Sequence, residues 1–112
     1  MIRITLAAVL LAAPAYAADN KEDSCKYQGQ VMAAVQTARL ERVSKADVEQ
    51  VILDGEPDWP EQYSNAIPQL AEHIYAMKRR DLKETEFGPL LEQQCLENWE
   101  QIQEMKRSLK SN

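Results

Sequence analysis

Residues 88–109, GPLLEQQCLENWEQIQEMKRSL, put Leu91, Cys95, Trp99, Ile102, Met105 and Leu109 at successive spacings of three and four. That spacing draws one apolar stripe down an α-helix. Pro89 suits the first helical position, where its missing N–H costs nothing. Lys106, Arg107 and Lys110 oppose the dipole at the other end. The remaining surface is rich in Gln and Glu. The stretch reads as one long amphipathic helix, and Cys95 on its apolar stripe must meet another element.

The preceding segments share this helical period. Tyr27, Val31, Val35 and Ala38 recur at four, four and three, which predicts a helix over about 23–43. Ser44 is a candidate N-cap for a short second helix, with Asp47 three residues on, where a capping box places its acid. Val48, Val51 and Ile52 are expected to face inward, and Gly55 and Pro57 to end that helix. Residues 54–60, DGEPDWP, form a loop. Pro60 opens a turn over 60–65, and Pro68 interrupts the segment before a helix over about 66–82. There Ile67, Leu70, Ala71, Ile74 and Lys78 follow the amphipathic spacing, and Lys78, Arg79 and Arg80 close the helix. No strand-like alternation competes. The expected fold is all-α: a small bundle of three longer helices and one or two short ones.

The N-terminus, MIRITLAAVLLAAPAYA (1–17), has the three zones of an export signal: Arg3, the apolar run Ile4–Ala13, and Ala15-Tyr16-Ala17 as a cleavage site. Cleavage leaves 95 of the 112 residues, one domain over 18–112 in the periplasm or outside the cell. Loss of Arg3 leaves 12 basic against 18 acidic side chains, a net charge of −6. Such a surface is poorly suited to nucleic acid, whose phosphates demand a basic face. No stretch after residue 17 approaches the roughly 18 apolar residues of a membrane span, so no insertion is expected after cleavage.

Export carries the cysteines into an oxidising compartment, where an even count reads as paired. A Cys25–Cys95 bridge would join the first helix to the last. Redox chemistry would need a close Cys-x-x-Cys or an activating neighbour, and here Lys26 alone adjoins Cys25. Intermolecular pairing is the remaining alternative.

His73 is the single histidine, beside the stripe of the third helix. Zinc wants three or four such ligands, and paired cysteines cannot serve. Haem would need an axial partner such as a methionine, and no Cys-x-x-Cys-His is present. No metal and no cofactor is expected. The acidic loop residues Asp54, Glu56 and Asp58 with Glu61 lack the offsets of a calcium loop and read as a solvated surface. Trp59, set among them, either anchors a protein partner or folds back over the bundle end. Asp54, Glu56, Asp58 and Trp59 are thus the candidate partner-binding residues. No nucleophile–base set or phosphate loop can be assembled, and a non-enzymatic protein is expected.

Cys25, Val31-Met32-Ala33, Ala38-Arg39, Val43-Ser44 and Val48, with a second cysteine about 70 residues on, resemble a loose group of small exported two-cysteine helical proteins of Gram-negative bacteria. Arg39-Leu40-Glu41-Arg42 stands where that group usually has Arg-Gln and a Gly. The resemblance implies a helical, disulfide-bonded exported protein and carries over no functional residue. More faintly, residues 95–106, CLENWEQIQEMK, are similar to the C-terminal helix of small periplasmic acid-stress chaperones. The role expected from all this is a protein-interaction module. Its two specific forms are a holdase for acid or envelope stress, and an inhibitor or immunity protein against an envelope-acting enzyme.

Overall fold

Asn20 starts the first helix. Its Oδ1 accepts from the backbone N–H of Asp23 at 2.8 Å, which satisfies one of the donors that a helix start leaves open. The computed structural model describes residues 20–111, so the segment 1–17, expected as an export signal, lies outside the described residues. Among these, six α-helices and one 3-10 segment follow one another without a strand: α1 (Lys21–Leu40), α2 (Val48–Asp54), the 3-10 segment (Glu61–Ala66), α3 (Ile67–Ala76), α4 (Arg79–Glu84), α5 (Phe87–Glu97) and α6 (Trp99–Ser111). The all-α bundle expected from the periodicity is the fold, and Cys25 is bonded to Cys95.

α1 is the central rod. Val31, Val35 and Ala38 on its inner face join Val48 of α2, Ile67, Ala71 and Ile74 of α3 and Leu82 of α4 in one buried cluster. α5 packs along α1 more extensively than any other pair of elements. The closeness has a local cause in Gly29 and Gly88. A Cβ on Gly29 would stand 2.7 Å from the carbonyl oxygen of Gly88, and one on Gly88 would stand 2.7 Å from that of Gly29. The two helices therefore touch backbone to backbone, and the nearest atom in the way at either glycine belongs to the main chain. Gly29→Ala is expected to lose about 1–3 kcal/mol of stability, although alanine is the better helix former, because the helices must move apart. Urea denaturation measures it, and an unchanged or higher midpoint would contradict this packing.

Several boundaries differ from the sequence reading. α2 begins at Val48 with Asp47, not Ser44, at its N-cap position. α1 stops at Leu40, not near Val43, because Arg42 takes a left-handed conformation (φ 69°) and Val43 N–H bonds back to Ala38 O at 2.9 Å. This is the Schellman closure, made here with arginine in the place usually given to glycine. The segment expected as one helix over 66–82 is two, broken at Met77 and Lys78, both extended (ψ 156° and 142°). Pro68 sits harmlessly in the first turn of α3.

The long C-terminal helix is also two, with Asn98 between them at φ −108° and ψ 14°. Asn98 Nδ2 donates to Gln94 O at 2.9 Å, the local side-chain bond by which asparagine competes with helix continuation. α5 begins at Phe87, one residue ahead of the expected start, with Pro89 still inside its first turn.

Side chains hold the broken ends. Arg79 donates to Arg39 O at 2.9 Å and Leu40 O at 3.1 Å, capping the C-terminus of α1. Arg39 in return donates to Met77 O at 3.1 Å, the carbonyl at the break, and lies 5.4 Å over the Tyr75 ring. Tyr75 donates its hydroxyl to Val43 O at 2.7 Å. Burial raises the Tyr75 pKa above its ordinary value, and the nearby Arg39 charge opposes the rise.

Candidate interaction surfaces

Cys25 and Cys95 are buried, and their Cα atoms lie 5.4 Å apart. The bridge ties the start of α1 to the end of α5, immediately before the kink from which α6 departs. Neither sulfur is presented to solvent, so the pair braces the fold at the root of α6.

α6 is the most strongly amphipathic of the longer described helices, yet it makes little contact with the body. Trp99 and Ile102, nearest the root, are half-buried. Farther out Met105 is 61% and Leu109 74% exposed. The stripe read from residues 88–109 is thus covered as far as Ile102, with Cys95 buried and Leu91, Trp99 and Ile102 half-buried, and open beyond it. Because the register of 105 and 109 keeps them on one face, the outer part of α6 presents an apolar strip without a cover.

The loop expected to hold a partner does two things. Asp54, Glu56 and Asp58 are exposed. Trp59 is half-buried: its Nε1–H donates to the buried Ser64 hydroxyl at 2.8 Å, and its ring packs on the core. Glu56 holds a left-handed φ of 52°, which turns the loop back toward the bundle. Together Trp59 and the loop make one wall of an open groove of about 440 Å3. Ala33 and Ala34 of α1 and Val51 and Ile52 of α2 supply its apolar surface. Val51, expected to face inward, is 46% exposed here, since α2 turns this side toward the groove rather than the core.

A second open groove, about 530 Å3, lies across α1, the 3-10 segment, α3 and α5. Val31, Tyr63, Leu70 and Leu91 line it, with Gln69 and the exposed His73 also at its edge. The Tyr63 and Tyr27 rings meet at a tilt of 49°, their centroids 5.3 Å apart. His73 has no metal-like company: among the described residues no three His, Cys, Asp or Glu side chains gather in a ligating arrangement. Among those residues, too, no helix is long and apolar enough to cross a membrane.

Two features here were missed in the sequence. Gly29 is an isolated glycine within a helical pattern, a signal of close approach that the periodicity obscured. Gln36 is buried within α1 and makes three hydrogen bonds to the α4–α5 region, and nothing in its neighbours announces this. Comparison with protein-family models, with curated proteins and with solved structures finds no match, so the surfaces themselves carry the functional reading.

Proposed function

We propose that this protein is an exported, non-enzymatic protein-interaction module, and that α6 is its binding element. The observation carrying this reading is the apolar face of α6, with Met105 and Leu109 exposed one turn apart on a helix rooted beside a disulfide. An exposed apolar strip on a short helix is a disposition that binding partners cover. The buried disulfide supports the oxidising compartment that the N-terminal segment implies.

The decisive comparison is capture from periplasmic extract by the oxidised protein and by its Met105→Glu/Leu109→Glu variant. Proteins retained by the parent are expected to be lost from the variant, whose core is untouched because both positions are exposed. Equal capture by both would remove α6 from the binding surface.

The holdase form of the reading draws on the same face. An acid-triggered holdase hides its apolar surface until its carboxylates protonate, whereas this strip is open in the folded chain. Dye fluorescence with ANS is therefore expected at neutral pH and reduced by the same double substitution. Fluorescence appearing only in acid would restore the triggered form.

A further inference from the structure

We propose that the groove between α1 and α2 receives the outer part of α6 from a second copy of this chain, exchanged reciprocally in a two-fold dimer. The inference rests on the reading of α6 as the binding element and names what that element binds.

The groove asks for a particular occupant. Ala33 and Ala34 are small, and they leave room on α1 for the side chains of another helix. Val51, Ile52, Pro57 and Trp59 make the walls apolar. The rim is acidic: Glu41 lines it, and the exposed Asp54, Glu56 and Asp58 belong to the segment that builds the Trp59 wall. An apolar helix face accompanied by basic residues satisfies both demands.

The chain carries such an element itself. Met105 and Leu109 supply exposed apolar side chains one turn apart. Residues 105–112 also contain Lys106, Arg107 and Lys110 and no acidic residue. The rest of the exported chain, 18–104, holds nine basic against 18 acidic residues. Positive charge and uncovered apolar surface thus coincide at the end of α6, and negative charge borders an uncovered apolar groove elsewhere on the molecule.

Size favours a closed exchange over a single contact. One helix end in one groove falls short of the roughly 1,200 Å2 at which specific interfaces begin. A two-fold axis makes the same contact twice, and closure prevents growth into open chains.

Sedimentation velocity of the oxidised protein, residues 18–112, tests this over protein and salt concentration. A monomer–dimer equilibrium is expected that weakens as salt rises. Glu56→Lys/Asp58→Lys reverses the groove rim and Lys106→Glu/Lys110→Glu reverses the helix end. Each should raise the dimer Kd by about tenfold or more through like-charge opposition. An equimolar mixture of the two variants should recover dimer, because each contact then joins opposite charges again. Glu56, Asp58 and Lys106 are exposed, and matching melting curves for both variants would show the fold intact.

A chain monomeric at every concentration overturns the proposal. So does a dimer indifferent to Glu56→Lys/Asp58→Lys but abolished by Met105→Glu/Leu109→Glu, which would mean α6 pairing with α6. A monomer that co-sediments with phosphatidylglycerol vesicles would assign α6 to a lipid surface instead. If self-association fails while capture of other proteins still depends on Met105 and Leu109, the proposed function stands without this partner. If capture is indifferent to those residues as well, both readings fall.

Discussion

Replacing Gln36 with leucine is expected to cost about 3 kcal/mol, far more than the loss of one polar side chain in a helix of 20 residues would suggest. Gln36 sits in α1, and its amide reaches across to where α4 ends and α5 begins. Nε2 donates to Leu82 O and to Thr85 O, both at 2.7 Å, and Oε1 accepts from Phe87 N–H at 3.0 Å. The chain changes direction there, with Thr85 and Glu86 extended, so none of these three groups has a helical partner to fall back on.

Leucine would fill the space and leave two carbonyls and one N–H without partners. Each buried polar group left unmade costs about 1–3 kcal/mol, with the more exposed Thr85 end at the lower limit. For a domain of this size, about 3 kcal/mol lowers Tm by roughly 10–20 °C. Gln36→Glu separates hydrogen bonding from volume. A carboxylate still accepts from Phe87 but faces two carbonyl oxygens to which it cannot donate, whereas the protonated acid can donate to one of them. Folding should therefore favour the protonated form and raise that carboxyl's pKa. The folded state then binds more protons than the unfolded one, so the variant loses stability relative to wild type as pH rises through the carboxylate range. A Gln36→Leu protein melting within 3 °C of wild type would remove Gln36 as the clasp of this corner.

Removing the disulfide is the other large effect. Cys25 and Cys95 are 70 residues apart, and closing a loop of that length stabilises a fold by about 4.4 kcal/mol in the chain-entropy account. Cys25→Ala/Cys95→Ala is expected to lose about 3–4 kcal/mol, against a total of roughly 5–15 kcal/mol for small domains. The double-alanine form should denature at markedly lower guanidinium concentration and bind more ANS. Its instability should appear first where α5 leaves α1, because no other covalent link holds the root of α6. A variant as stable as the parent would show that the Gly29–Gly88 contact and the core already secure the α1–α5 pair.

The sequence by itself determined the helical class, the elements that carry core residues and the cysteine partnership. Those follow from local rules: a period of 3.6 residues in Val31, Val35 and Ala38, or in Ile67, Ala71 and Ile74, reads the same in any context. For the cysteines an even count and the oxidising compartment expected from the N-terminal segment sufficed. Helix endings yielded less, since the break at Met77 and Lys78 interrupts an apolar spacing that would continue happily to Leu82. The break is secured by Arg39 and Arg79 exchanging hydrogen bonds with each other's backbone surroundings, 38 to 40 residues away in the chain.

The same holds for the surfaces. Leu91 and Leu109 belong to one stripe in the sequence, but α5 packs along α1 while α6 makes little contact with the body. Only the tertiary structure decided which half of that stripe is core and which is left uncovered. It likewise folded Trp59 onto Ser64, and made a groove wall from a residue whose place in the sequence allows either burial or display. The physical reason is the reach of the interactions. Periodicity records what each segment offers to bury, while burial itself depends on whether another element, distant in the chain, arrives to cover it.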